Sequence, residues 1–427
     1  MPSAALINPW KSWQKIIFRF FFLFLLQTSC LCWDLIVYFT LAIFRKSSPY
    51  QFGDIFHPML KPLHWFDKHI FHTGYDPKIH DPWPGDSHMG VVFYLTALLF
   101  AIVLTACWSI YDKKRTSYNK LFYWFNLYLR YTLALTMFGY GIDKLIPVQM
   151  SYPGPVALLT PMGQNNLFNV LWQFMGVSRG FMIFTGACEI IGSFLLFSRR
   201  TAVFGYLILC TILCNVVAFN FFYNVPVKLF SSQLLIYTLF LLVPYALKLF
   251  QFFFYEQPVA LTQNSFLFHT RWKRYVIWVL LIVIPVLIDF CVTVVDYRRY
   301  ERDQTDAKHH RIYEVGAFIA KDTLPPLLTD TLRWKYFVFD YDKYAVIFDM
   351  KDNKDWYECD IDSIKKIFTL HDNPDTARWH VFHYAYPSKD SLLLMGKWKN
   401  RDVTIMMKST PIDSMPLNKE KIRWLRD

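Results

Sequence analysis

The chain has no Walker loop, no Rossmann glycine fingerprint, no His-Glu-x-x-His and no nucleophile elbow. Those absences remove P-loop phosphate chemistry, Rossmann-type dinucleotide binding, zincin-type hydrolysis and α/β-hydrolase catalysis. Internal repeats and low-complexity segments are also missing, apart from an aromatic bias. Cysteine is nearly absent outside the apolar stretches: of 8, only Cys359 falls in polar sequence, so no disulfide framework is implied. Glycine is scarce too, 15 in 427 residues against 41 phenylalanines.

What is present is apolar. The chain is 54% hydrophobic and 19% aromatic, and a soluble protein of that composition would need an improbably greasy surface. A hydrocarbon core about 30 Å thick asks for runs of about 20 apolar residues. Seven such runs occur, near 15–43, 89–110, 121–144, 180–197, 201–222, 229–254 and 275–296. The chain is therefore read as a multi-pass membrane protein whose first partner is the lipid bilayer.

The formal net charge of +12 does not indicate a nucleic-acid partner, because the basic residues cluster at span ends. Asp112-Lys-Lys-Arg115, Ser198-Arg-Arg200 and Arg271-Trp-Lys-Arg274 all fall on one side if Lys11 and Lys15 are cytoplasmic. That arrangement sends the C-terminal region outside, with only Arg298, Arg299 and Arg302 against it. The expected location is a bacterial inner membrane, N-terminus cytoplasmic and C-terminal domain periplasmic. The basic, apolar N-terminal stretch lacks a convincing small-residue cleavage site and is read as a retained span.

Two outer loops stand out. The first holds six of the twelve histidines, and His64-x4-His69-x2-His72 has a spacing that can present imidazoles on one helical face, with Asp67, Asp76 and Asp81 nearby. Its many Trp, Phe and Pro residues fit a membrane-interface segment better, so no metal is assigned. The second, from Ile146 to Arg179, is nearly uncharged and Pro-containing, and is expected to fold back over the helices. After Tyr297 the sequence becomes charged and alternating. About eight strands are available, with short polar turns at Tyr341–Lys343 and Lys399–Asp402, which suits a small antiparallel barrel or sandwich. The stretch "DTLPPLLTDTLRWK" cannot be a central strand, because adjacent prolines remove ladder donors, and is read as a docking linker.

Charges inside the spans are expensive and need partners. Arg130 lies ten residues past Lys120, and Glu189 ten residues before Arg199 on the next, antiparallel span, so equal depth predicts a structural ion pair between them. Asp143 and Lys144 end the third span behind Gly139 and Gly141, which permit close approach of a helix or ligand. With Asn215, Asn220, Lys228 and Asp289 they outline an outward-facing polar pocket whose cations are Lys144 and Lys228. Interface anchoring by span-end lysines is the competing reading. Cys210 and Cys214, one helical turn apart, are read as small apolar residues rather than a redox pair.

At these positions the chain resembles the DoxX family, in a longer bacterial version with extra flanking spans and a C-terminal β-rich domain. The residues that carry the resemblance are Arg130, Gly141-Ile-Asp-Lys144, Glu189 in "TGACEIIGSFLLF" and Arg199-Arg200 in "SRRTAVFGY", within residues 120–255. The resemblance implies a four-span core. Some relatives are subunits of membrane quinone oxidoreductases, so it also implies a quinone as the conceivable cofactor and a redox or envelope subunit as partner. No haem pair, flavin motif or exported cysteine pair is present to supply electron transfer from this chain.

The expected organisation is an N-terminal span (1–44), the His- and aromatic-rich loop (45–88), a second span with its basic inner loop (89–119), the DoxX-like core (120–255), an inner loop and last span (256–297), and an exported β-rich domain (298–427). The first functional reading is binding of a quinone-like or lipidic molecule by Lys144, Asp143, Asn215, Asn220 and Lys228. The second is a non-enzymatic anchor presenting the β domain to an envelope partner. Transport finds no inverted repeat to support it. The expected order of a span bundle followed by an exported β-rich part also resembles the vitamin K-dependent carboxylases, but architecture alone does not determine activity.

Overall fold

The computed structural model describes residues 9–29, 61–74, 86–259, 271–305, 312–339, 344–371 and 379–419. The turn expected at Tyr341–Lys343, Cys30 and Cys32, and the loop residues His57, Asp76, His80 and Asp81 lie outside these residues. The main helices, in chain order, are α1 (Ser12–Thr28), α2 (His88–Tyr111), α3 (Asn119–Leu145), α4 (Pro155–Leu159), α5 (Leu167–Val177), α6 (Arg179–Phe197), α7 (Ala202–Phe222), α8 (Lys228–Leu242), α9 (Ala246–Tyr255), α10 (Arg271–Trp278) and α11 (Ile284–Thr305). The chain divides into two compact units, 1–145 with 183–292, and 146–182 with 293–427.

The first unit is helical. Among the described residues five helical segments are long and apolar enough to cross a membrane: His88–Tyr111, Arg179–Phe197, Ala202–Phe222, Lys228–Tyr255 and Val279–Arg299. They correspond to five of the seven expected runs. The run at 121–144 forms the 27-residue helix α3, which is long enough but interrupted by Arg130, Asp143 and Lys144. Local chemistry sets the ends and breaks. Ser87 caps α2 by accepting from the Gly90 amide at 3.0 Å. Pro244 sits in the 3-10 turn Val243–Tyr245 between α8 and α9. Pro285 cannot donate to Leu281, and the helix widens into a π turn over Val279–Val283 just before it.

The interior of this unit is aromatic and aliphatic: Phe18 and Leu25 of α1, Phe125, Leu129 and Leu133 of α3, Leu209 and Leu213 of α7, and Leu234, Tyr237 and Leu241 of α8. Buried polar groups close on one another. Arg19 donates to the Tyr118 hydroxyl at 2.9 and 2.6 Å, to Ser109 Oγ at 2.8 Å and to the Asp112 carbonyl at 3.0 Å. Tyr118 in turn donates to the Asp112 carboxylate at 2.7 Å. This bonding places the start of α1 beside the end of α2, and the Trp10 amide bonded to the Thr116 carbonyl does the same.

The second unit contains a closed antiparallel barrel. Its strands are β1 (Ile312–Ala320), β2 (Asp322–Thr323), β3 (Trp334–Phe339), β4 (Tyr344–Asp349), β5 (Lys354–Asp362), β6 (Ile367–His371), β7 (Trp379–Ser388), β8 (Ser391–Trp398) and β9 (Arg401–Thr410). From β3 to β9 each strand pairs with the next, and β1 pairs with both β3 and β9, closing eight strands; β2 is a two-residue addition to β1. Closure leaves no sheet edge along the ring. Of the two architectures expected, barrel or sandwich, the chain adopts the barrel. The β8–β9 turn holds Lys399 and Asn400 at φ of 47° and 65°, the doubly left-handed conformation that matches strand twist.

The barrel is filled by Phe318, Trp334, Phe337, Phe368, Phe382, Trp398 and Ile405. The Pro-Pro segment is indeed not a strand. It caps this core with Leu324 and Leu332, held by Arg333, which donates to the carbonyls of Leu324 at 2.6 Å and Val315 at 3.1 Å. Cys359 is buried in the same core, where burial and the neighbouring Asp360 and Glu358 carboxylates push its thiol up to about 12. At pH 8 only about one thiol in 10⁴ would be the reactive thiolate. Alkylation of native protein is therefore expected to spare Cys359 and to reach it on denaturation; rapid modification of the native chain would contradict the buried position.

The loop 146–182 corrects an expectation. It was expected over the helices, but it packs within the second unit, where Val156 and Leu159 of α4 cover Ile312, Val338, Val346 and Phe348. Strands β3 and β4 are thus buried on both faces, which is why "YFVF" and "YAVIF" are continuously apolar rather than alternating. The loop and the barrel thus belong to one compact unit, and four of the five long apolar helical segments lie between them in the chain.

Candidate functional site

Helices α3 and α6 run against each other with backbones in contact. A Cβ on Gly141 would stand 2.9 Å from the Gly186 carbonyl oxygen, and one on Gly186 would stand 2.6 Å from that of Gly141. Only glycine permits this crossing. Ser193 adds a hydroxyl bond to the Ala134 carbonyl at 2.6 Å. Gly186→Ala is expected to destabilise the helical unit by about 1–3 kcal/mol by overpacking, read as a lower melting midpoint in detergent. Gly163→Ala, where nothing lies within 4 Å, is the control.

At this crossing Lys144 Nζ donates to both carboxylate oxygens of Glu189, each at 2.7 Å, and both residues are buried. The ammonium also stands 5.6 Å from the Tyr140 ring centre. Both side chains lean toward their own helix N-terminus, so each reaches back across the glycines to meet the other. The expected Arg130–Glu189 pair is therefore replaced by Lys144–Glu189. Arg130 lies 14 residues earlier on α3, about 21 Å along the axis, and its ring neighbour Tyr131 stacks on Phe197 at the far end of α6.

Two further carboxylates lie on or against α3. A Cβ on Gly139 would meet Asp289 Oδ2 at 2.9 Å, so this mid-span aspartate of α11 lies directly against α3. Asp143 is close enough for its charge to act on Glu189. Among the described residues no group of three or more His, Cys, Asp or Glu side chains is arranged to hold a metal. His69 Nδ1 lies 2.9 Å from the Trp65 carbonyl with its ring stacked on Trp65, and His72 terminates its helical segment at φ 53°. His64, His69 and His72 thus do not converge.

The other expected site residues separate. Lys228 Nζ pairs with Asp86 at 3.3 Å and donates to Asn224 Oδ1 at 3.0 Å and the Val225 carbonyl at 3.1 Å. Asn220 is buried, with its Nδ2 lacking an acceptor among the described residues. Asn215 is exposed on α7, as are Thr211 and Cys214, and points away from the bundle interior. Lys144, Lys228 and the two asparagines therefore do not form the single pocket expected; the periodicity of α7 puts Asn215 and Asn220 on different faces. Cys210 and Cys214 do share a face, as free thiols.

Asp86 and Arg19 were not singled out from the sequence. Asp86 caps α8 from a distance, its oxygens accepting from the amides of Lys228 at 2.8 Å and Leu229 at 2.9 Å. A cap supplied from residues remote in sequence leaves no local signature. Arg19 did leave one, a lone cation within "IIFRFFFLF".

These features define a multi-pass membrane-type helical unit joined in sequence to a closed eight-stranded β-barrel. Over 113 residues, 26% of this chain and 71% of the relative, the sequence is 32% identical to YwoB of Bacillus subtilis (strain 168), described as an uncharacterized protein. The chain belongs to the same family as YwoB. No family model matches it, and no solved structure does.

Proposed function

We propose that this chain is a DoxX-like inner-membrane protein with a non-enzymatic role, in which the helical unit is a rigid anchor and the β-barrel is presented to an envelope partner outside the cytoplasm. The observation that carries this reading is that both lysines a ligand pocket would need are already neutralised, Lys144 by Glu189 and Lys228 by Asp86. At Lys144 an incoming anion or carbonyl would have to displace the buried Glu189 carboxylate and leave it unpaired, which is strongly unfavourable, and at Lys228 it would compete with the partly buried Asp86. What supports the DoxX-like reading is the contact of two of its residues, Lys144 on Glu189, at one end of α3.

A quinone-like or lipidic ligand is the second reading, favoured by Asp289, a mid-span carboxylate packed directly against α3 at Gly139. Mass spectrometry of lipids and quinones retained by the purified full chain separates the two. The anchor reading expects no quinone near one per chain; a stoichiometric quinone lost in Lys144→Met would overturn it.

The orientation has its own test. Cys359 is too buried to report sidedness, whereas Ile364, in the β5–β6 turn, is 95% exposed. Ile364→Cys is expected to react with an impermeant maleimide in intact spheroplasts well above the wild-type background. Protection until lysis would place the barrel in the cytoplasm.

A further inference from the structure

Arg130 is a buried cation, 6% exposed, and among the described residues no carboxylate pairs with it. Its Nε has no acceptor. Its Nη2 reaches the Tyr131 hydroxyl only at 3.4 Å, with the guanidinium 5.1 Å from that ring's centre. Tyr206 provides a further hydrogen-bond contact, and Tyr245 and Tyr123 are close enough to feel its charge. A guanidinium has five N–H donors, and hydroxyls that each satisfy one leave it short of acceptors. Arg19 shows the contrast: four bonds to oxygens, and a carboxylate one hydroxyl away.

A second cation converges on the same place. Arg199, exposed in the turn between α6 and α7, donates to the Tyr123 hydroxyl and lies over its ring at 5.4 Å. Tyr131, whose ring carries the Arg130 guanidinium, stacks on Phe197, two residues before Arg199. Two guanidinium groups and several phenol hydroxyls thus gather at the end of the helical unit where α6 turns into α7, with the Arg130 Nε left without an acceptor among the described residues. Paired arginines with neutral hydroxyl donors suit a tetrahedral oxyanion, which offers three or four acceptor oxygens at once.

We propose that Arg130, Arg199 and the hydroxyls of Tyr123, Tyr131 and Tyr206 form a binding site for a phosphate-bearing group, whether a phospholipid headgroup or free phosphate. This site is separate from the Lys144–Glu189 crossing and stands whether or not the helical unit is only an anchor.

The test uses the full chain in a neutral maltoside detergent at fixed salt, titrated with dioctanoyl phosphatidylglycerol, dioctanoylglycerol or inorganic phosphate, with binding read from the melting midpoint and by native mass spectrometry. Phosphatidylglycerol is expected to bind saturably and dioctanoylglycerol not to. Arg130→Gln is expected to weaken binding about tenfold to a hundredfold, as loss of charge-assisted bonds does. Arg199→Gln should weaken it several-fold, and Arg200→Gln should leave it unchanged. Binding of inorganic phosphate with similar strength would identify free phosphate as the source, and binding of phosphatidylglycerol alone would identify a lipid headgroup; both support the site. Equal binding of dioctanoylglycerol, or wild-type affinity in both Arg130→Gln and Arg199→Gln, overturns it. Should Arg130→Gln fail to fold, exposed Arg199→Gln and the near-isosteric Tyr131→Phe decide the matter.

Discussion

Lys144→Met is expected to destabilise the helical unit by about 3–5 kcal/mol, because it strands the Glu189 carboxylate in the interior without its partner. Both oxygens of that carboxylate are bonded to Lys144 Nζ at 2.7 Å, and Glu189 is only 3% exposed, so water offers little replacement. Glu189→Leu strands the ammonium instead and should cost a similar amount. The double variant Lys144→Met with Glu189→Leu removes both charges and keeps the volumes; it should recover most of the loss. The measurement is the melting midpoint of the detergent-solubilised chain, with folded yield in membranes alongside. Additive losses in the double variant would mean that the two residues do not act as a pair. The same measurement on Arg130→Met should show a smaller effect than either, since no carboxylate depends on Arg130 among the described residues.

The Lys144–Glu189 contact also shows what sequence could and could not reveal about the site. That intramembrane charges would pair was legible, since an isolated one costs at least about 2.5–3.5 kcal/mol on insertion scales. Which charges would pair was not. Counting depth from Lys120 and from Arg199 assumes that α3 and α6 begin level, whereas Tyr131 stands beside Phe197 and Ala134 beside Ser193. Helix α3 therefore extends beyond α6 by roughly the stretch from Asn119 to Tyr131. The glycines held the missing information. Gly141-x-x-Lys144 and Gly186-x-x-Glu189 carry the same spacing on two antiparallel helices, and a glycine crossing sets their register directly.

The fold was more legible than the site, for reasons that differ between its halves. A long apolar run has few alternatives in composition space, so five of the expected runs recur as long apolar helices. The strands were visible from alternation and turn residues, but barrel closure was not, because the β1–β9 pairing joins residues some ninety positions apart with no local mark. The placement of loop 146–182 was half visible. Its apolar, proline-broken sequence said that it must cover something, and the unbroken hydrophobicity of β3 and β4 said that something must cover them.

In the barrel the largest expected loss follows Trp334→Ala, about 3–5 kcal/mol. The indole is 2% exposed and contacts four rings: Phe337 at 5.7 Å, Phe318 at 6.1 Å, Phe382 at 6.0 Å and Trp398 at 5.0 Å between centroids. Removing it opens a void where four strands meet, and aromatic neighbours of that size cannot collapse to fill it. Trp334→Phe should cost much less, under about 1.5 kcal/mol, because most of the volume remains and the deleted Nε1–H has no acceptor among the described residues to lose. Cys359 provides the readout in the intact chain. Its thiol belongs to the same packed cluster and becomes reactive only when the barrel opens, so its alkylation rate follows the open population. The alanine variant should therefore label roughly a hundred to a few thousand times faster than wild type, by the tenfold change that each 1.4 kcal/mol brings, and the phenylalanine variant no more than about tenfold faster. Equal rates in wild type and Trp334→Ala would show that Trp334 does not hold the barrel closed over Cys359.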